Sequence, residues 1–304
     1  MRETEKIYGD PGNAGAAEIA DAVRALARRY PFLRAAPLGA SAQGRELIAV
    51  EAGALRDPVF FVGGTHAMEW PSVLCALRLA EETAALWESD GRVCGCEMRA
   101  SLRRRGAVIL PLLNPDGWEL RRRGPSAAAD GGRMPARLCG ADFCRWQANA
   151  RGVDLNRNFP AGFAKARRAA AALGIRRPGP TRYGGPFPFS EPETRAVRRA
   201  CADYRPRALC ALHAQGQEIY WRYGARQPAG SEYIARTLAA LSGYVLAEPD
   251  PVAAGAGLKD WFIRAYGRPG FTIELGLGRN PLPYGDFPAI YEKVRAALFA
   301  AMLL

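Results

Sequence analysis

The sequence predicts an α/β fold in one domain, and three observations carry that expectation. Short apolar, β-branched runs at residues 59–62, 107–113, 208–212 and 271–273 have the length of buried strands. Stretches with apolar residues at helical spacing lie between them. The runs at 59–62, 208–212 and 271–273 lead into a histidine or a glutamate, and in open α/β sheets ligands gather outside the carboxyl ends of the strands. A chain of 304 residues is within reach of one large α/β domain. With no linker and no internal repeat, residues 1–304 read as a single unit.

Taken in order, Ile19, Val23, Leu26 and Ala27 recur at helical spacing over residues 16–30, and Pro31 ends that helix. Ser41-Ala-Gln-Gly-Arg-Glu reads as a turn into a strand at 47–50, and Arg56-Asp-Pro as a turn into the strand at 59–62, the two pairing at a sheet edge. Pro71 opens a helix through about Trp87, apolar at Val73, Leu74, Leu77 and Leu79. Asn114-Pro-Asp-Gly-Trp is a strong turn signal after the run at 107–113. Residues 121–142, rich in Arg, Gly, Ala and Pro without a period, read as a surface loop. Glu191-Pro-Glu starts a helix, Ser231 or Glu232 opens another through about Leu241, and 271–276 is the last strand.

Composition narrows the function classes. No apolar run is long enough to span a bilayer, and Met1-Arg-Glu-Thr-Glu-Lys-Ile-Tyr lacks the basic-then-apolar pattern of a signal peptide, so a cytoplasmic protein is expected. The seven cysteines read as mainly reduced thiols, with a Cys139–Cys144 disulfide open to an exported protein. The net charge of +12 invites a nucleic-acid reading. Yet of 42 basic residues only Lys6, Lys165, Lys259 and Lys293 are lysine, beside abundant alanine and glycine, which points to a compositional habit. The arginine runs 103–105 and 121–123 read as solvated faces, and no nucleic-acid partner is expected. A surface potential favouring anionic substrates remains.

The chain holds only two histidines, His66 and His213, both at strand ends. Two scarce imidazoles so placed point to one shared site. With Glu69 three residues after His66 they form a set suited to a catalytic zinc, which takes three protein ligands and keeps a fourth position for water. His-x-x-Glu alone equally describes a packed or capping histidine. Glu274 interrupts an apolar run, where a carboxylate is costly to bury unpartnered. It reads either as the partner of an arginine or as a general base beside a metal-bound water. Asn156-Arg157, in the polar, aperiodic stretch 146–160, fits a carboxylate receptor because guanidinium grips two oxygens at once; it equally fits a surface ion pair.

Together, His66-x-x-Glu69, Asn114-Pro-Asp-Gly, Gly-Val-Asp-Leu-Asn156-Arg157-Asn-Phe, His213 and Phe-Thr-Ile-Glu274 resemble the zinc carboxypeptidases of the carboxypeptidase A type, in order and through nearly the whole chain. His213-Ala-Gln-Gly-Gln-Glu-Ile-Tyr-Trp, Lys259-Asp-Trp-Phe-Ile, and Arg268-Pro-Gly-Phe through Asn280-Pro-Leu-Pro look like one branch, the bacterial γ-D-glutamyl-L-diamino acid endopeptidase I group. Its members cut cell-wall stem peptides and often carry a wall-binding module, which is not read in this chain.

The resemblance implies a mixed, mostly parallel central sheet with helices on both faces, and one zinc ion per chain held by His66, Glu69 and His213. It implies Glu274 as base and then acid, Asn156 and Arg157 as holders of a free carboxylate on the leaving side, and Asp154 as the carboxylate orienting His66. Lys259 falls at the base of the pocket for the leaving residue, where a cation suits the second carboxylate of meso-diaminopimelate.

Three positions depart from the family pattern. Met68 replaces an arginine. Gln147 stands where a basic residue usually stabilises the oxyanion, with Arg145 or Arg151 as candidates to compensate. No tyrosine occurs at 251–258 to serve as a lid. The implied activity is metal-assisted hydrolysis of the γ-D-glutamyl to meso-diaminopimelate bond of murein peptides. The alternatives are a metallocarboxypeptidase acting on α-linked peptides and an inactive murein-peptide binder.

Overall fold

The apolar runs become neighbours in one eight-stranded sheet. The computed structural model describes residues 14–128, 143–249 and 254–303. Through the first half the chain runs α1 (Ala16–Arg29), β1 (Leu33–Ala40), β2 (Glu46–Ala52), β3 (Val59–Val62), α2 (Trp70–Glu88), β4 (Arg92–Val93), β5 (Cys96–Glu97), α3 (Met98–Arg104), β6 (Ala107–Leu110) and α4 (Pro115–Arg123). The second half runs α5 (Phe163–Ala172), α6 (Pro192–Tyr204), β7 (Ala208–His213), β8 (Glu218–Tyr220), α7 (Ser231–Ser242), β9 (Val245–Leu246), α8 (Leu258–Tyr266), β10 (Gly270–Glu274) and α9 (Phe287–Leu303). Strand order is β1-β2-β6-β3-β7-β10-β8-β9, with β4 and β5 paired separately. Strands β6, β3, β7 and β10 run parallel, as do β8 and β9. The β1–β2, β2–β6 and β10–β8 pairings are antiparallel, giving the mixed, mostly parallel sheet expected.

Both faces of the central strands are covered, which is why they read as unbroken apolar runs. Side chains alternate across a strand. Phe61, Ile109, Cys210 and Ile273 therefore join Val23, Leu74 and Val294 of α1, α2 and α9 in one core. Phe60, Val62, Val108 and Leu209 join Val197 of α6 and Phe262 of α8 in the other. No helix among the described residues is long and apolar enough to cross a membrane.

Asn114-Pro-Asp-Gly proves to be a helix start rather than a plain turn. The Asn114 side chain caps α4 by accepting from Gly117 N at 2.9 Å, and Pro115 occupies the first turn. The loop expected at 121–142 is corrected accordingly: Arg121–Arg123 complete α4, whose carboxyl end suits cations, and Gly124–Ala127 form a 3₁₀ turn. Residues 129–142, with Cys139 and any Cys139–Cys144 disulfide, lie outside the described residues. Arg103–Arg105 are exposed as expected, whereas Arg121 stacks over Tyr284 and Arg122 pairs with Glu119.

Strand β1 escaped sequence reading because Pro37 and Gly39 interrupt it, which an edge strand tolerates. Helix α9 escaped it because its apolar residues cover more than one face.

Candidate metal centre and substrate cleft

Three adjacent strands deliver the chemistry. Past β3, Gly63-Gly64-Thr65 carries the chain to His66. A Cβ on Gly63 would sit 2.5 Å from Ser72 O and 2.8 Å from Pro111 O, and Gly64 adopts φ +62°, so both positions demand glycine. Ser72 donates to Glu69 O and accepts from Gly64 N, tying the loop into the start of α2. Glu69 precedes that helix. His213 ends β7, and Glu274 ends β10 directly beside it in register.

Glu69 lies between the two imidazoles. Its Oε1 is 2.7 Å from His66 Nδ1 and its Oε2 2.9 Å from His213 Nδ1. Ala214 N also donates to Oε2 at 3.2 Å. Burial opposes ionisation of Glu69, but the facing rings of His66 and His213 outweigh it and hold the carboxyl at about 2. His66 Nε2 lies 3.1 Å from Asp154 Oδ1, the contact expected for an orienting carboxylate. Asp154 is itself gripped by the backbone N–H groups of Asn156 and Arg182. Burial works against a charged His66, yet Glu69 and Asp154 raise its pKa well above the ordinary value.

One ligand atom from each of His66, Glu69 and His213 falls within 4.8 Å of the others. Two nitrogens and a carboxylate oxygen match the donor set of a catalytic zinc, and the Nδ1 atoms of both imidazoles face the Glu69 carboxylate. These residues fit zinc. Burial first, and then the charge of Glu69, push the Glu274 carboxyl well above its usual range.

A cleft of about 640 Å³ opens over this cluster and is lined by His66, Glu69, Asp154 and His213 together with Gln147, Asn156, Arg157, Lys259 and Glu274. Asn156 Oδ1 accepts from Leu258 N at 3.0 Å, anchoring the start of α8 beside Arg157. Thr181 donates to the Gln147 side-chain oxygen. Arg145 lines the cleft, whereas Arg151 is 54 % exposed and faces Glu191 at 3.7 Å, so only Arg145 is placed to compensate for Gln147.

Lys259 is not the isolated cation that its sequence position suggested. Its Nζ lies 2.6 Å from Asp260 Oδ1 and donates to Arg222 O. Sequence reasoning missed Arg182, Arg279 and Tyr220, which also line the cleft. Arg182 stands in a loop without a motif; Tyr220 and Arg279 fall within the segments that carry the resemblance to the branch, but no role was read for either. Tyr220 donates to Glu218 Oε2 at 2.6 Å; of 251–258, where a lid tyrosine was sought, residues 251–253 lie outside the described residues.

The sheet, the donor set and the carboxylate at its side define a metallopeptidase. Residues 19–297 match the zinc carboxypeptidase family, and the chain belongs to it. Among its relatives, γ-D-glutamyl-L-diamino acid endopeptidase 1 of Lysinibacillus sphaericus is 30% identical over 100% of this chain and 76% of that protein. Bovine thrombin-activatable fibrinolysis inhibitor, solved with tick carboxypeptidase inhibitor, shares the fold at TM-score 0.75 and 20% identity, over 95% of this chain and 96% of that one. The murein-tripeptide amidase MpaA of Escherichia coli O157 shares it at TM-score 0.53 and 21% identity, over 88% and 91%.

Proposed function

We propose that this chain is a zinc-dependent amidase that hydrolyses the bond between γ-D-glutamate and meso-diaminopimelate in peptidoglycan stem peptides. One observation carries the reading: Glu274 ends the strand beside His213 in a cleft whose walls also hold Asn156, Arg157 and Lys259. The relative named as a γ-D-glutamyl-L-diamino acid endopeptidase, similar over the whole chain, supports the choice of bond.

His66, Glu69 and His213 would hold the zinc, which when bound lowers the pKa of a water and polarises the scissile carbonyl. Asp154 keeps His66 turned toward Glu69 by occupying its Nε2. Arg157 grips the free carboxylate of the leaving residue as a fork, with Asn156 beside it. Glu274 accepts a proton from the attacking water at its carboxylate and returns it to the leaving nitrogen. Arg145 and the Gln147 amide supply donors for the charge that develops on the carbonyl oxygen.

The test incubates zinc-loaded protein with L-Ala-γ-D-Glu-meso-diaminopimelate and with a matched α-linked tripeptide, products being read by mass spectrometry. Release of free diaminopimelate from the γ-linked peptide is expected, and removal of zinc by a chelator should abolish it. Cleavage of the α-linked peptide alone would leave an ordinary carboxypeptidase in place of this reading.

A further inference from the structure

We propose that the end of the sheet opposite the cleft is a docking surface for a base-free linear phosphodiester polymer, held by arginines that precede the four parallel strands. The inference goes beyond the proposed function and does not rest on it. A chain held at that end keeps its cleft open.

Composition supplies the arginines and topology gathers them. The three residues before β6, β3, β7 and β10 are Arg104-Arg105-Gly106, Arg56-Asp57-Pro58, Arg205-Pro206-Arg207 and Gly267-Arg268-Pro269. Arginine fills six of those twelve positions, whereas in the whole chain it makes up 38 of 304 residues, the 42 basic residues less four lysines. The four strand starts are neighbours: Val59 N donates to Gly106 O at 3.1 Å, Arg207 N to Pro58 O at 3.0 Å, and Leu209 N to Pro269 O at 3.1 Å. At one strand spacing each, the row spans roughly 14 Å. Helix carboxyl ends attract cations, and α3, α6 and α8 lead into three of these strands. A helix end explains neither Arg56, which follows β2, nor the doubled arginines at 104–105 and at 205 and 207.

Two of the six are tied into the fold. Arg207 donates to Asp57 O and Met302 O, and Arg268 to Arg205 O and Pro206 O. The other four, Arg56, Arg104, Arg105 and Arg205, are exposed, and their side chains make no hydrogen bond or ion pair among the described residues. Asp57, 4.0 Å from Arg268, is the one acid in the twelve positions. The like charges meet one another: burial first, and then the neighbouring Arg105, lower the Arg207 guanidinium to about 10.

A row of unpaired guanidinium groups fits a row of phosphates, since each fork takes two oxygens. Single-stranded nucleic acid would add bases stacked on aromatic rings, and a lipid surface would take apolar side chains. The large apolar side chains that stand exposed among the described residues, Phe187 and Tyr233 with them, all fall outside the twelve positions. A polymer whose only repeated feature is its backbone charge therefore matches best. The six residues of β7 separate Arg207 from His213, roughly 20 Å.

The test titrates the zinc-loaded protein with an abasic phosphodiester oligomer, with oligothymidylate of equal length, and with anionic phospholipid vesicles. The abasic oligomer is expected to bind, with affinity falling about 60-fold between 50 and 200 mM salt, as four phosphate contacts give. Arg56→Glu, Arg105→Glu and Arg205→Glu combined should weaken binding at least about 100-fold while kcat/KM on the γ-linked tripeptide stays unchanged. Arg168→Glu, Arg176→Glu and Arg177→Glu combined, an equal change of charge at exposed positions outside the row, should leave binding within about threefold. Glutamine at the same three row positions repeats the measurement with a smaller loss should the glutamate set not fold. Equal losses in the two sets would overturn the proposal, since net charge alone would then be at work. Absence of binding at 50 mM salt would overturn it too, as would tighter binding of oligothymidylate or of the vesicles. None of these results would touch the amidase reading, which is decided by the tripeptide assay.

Discussion

Glu274 and His213 are register partners on the adjacent parallel strands β10 and β7, so one imidazole and one carboxylate leave the sheet side by side. The loop after β3, the neighbour of β7 on its other side, brings His66 and Glu69 to the same end. The site's breadth is therefore two strand spacings of a rigid sheet, roughly 10 Å between its outer strands.

If Glu274 moves the proton, Glu274→Gln removes the base while retaining size and one acceptor. The expected outcome is a fall in kcat of about 10²–10⁴ with zinc content unchanged by elemental analysis. Loss of zinc from this variant would instead make Glu274 part of the metal site.

In the proposed site Asp154 would reach the metal only through His66, whose Nε2 it contacts at 3.1 Å. Asp154→Asn should weaken zinc binding about 10–100-fold, read by competition with a chelating dye, while the fold survives because the remaining oxygen still accepts from one of the two backbone donors, Asn156 N or Arg182 N. Unaltered zinc affinity would remove Asp154 from this role.

Asn114 ties three segments together. Its Nδ2 donates to Thr65 O, Gln147 O and Ala148 O while its Oδ1 caps α4, and the residue is fully buried. Asn114→Ala loses a cap and strands several carbonyls, so a loss of about 2–4 kcal/mol in stability is expected, measured by urea unfolding. Activity should fall too, because Gln147 and the loop bearing His66 lose their shared tether.

Stability should also depend on pH through Glu193, which is fully buried and accepts from Ala42 N at 3.0 Å. Burial is the main force pushing its pKa from 4.5 up to about 7, aided by the nearby Asp116 and Glu191 charges. A raised folded-state value means that its contribution is fully present below about pH 4.5 and is lost as pH rises to about 7. The swing is on the order of 3 kcal/mol by linkage. Glu193→Gln should flatten the stability profile across that window, and a profile parallel to that of the unaltered protein would show that Glu193 does not titrate there.

The sequence by itself marked the candidate site residues, which line one cleft, and showed which runs are central strands. Both are local signals: a strand buried on two faces is apolar throughout, and catalytic groups must stand where such a run stops. Tertiary structure alone decided what those groups face. Strand order set His213 between His66 and Glu274, and packing of α8 closed Asp260 onto Lys259, turning an expected cation into a neutral pair. It also showed that Arg145 rather than Arg151 reaches the cleft and that Asn114 begins a helix. The strand order and the reach of Arg145 depend on contacts between segments up to two hundred residues apart, which leave no period or spacing in the chain, whereas the cap of Asn114 on Gly117 N is a local signal that the turn reading passed over.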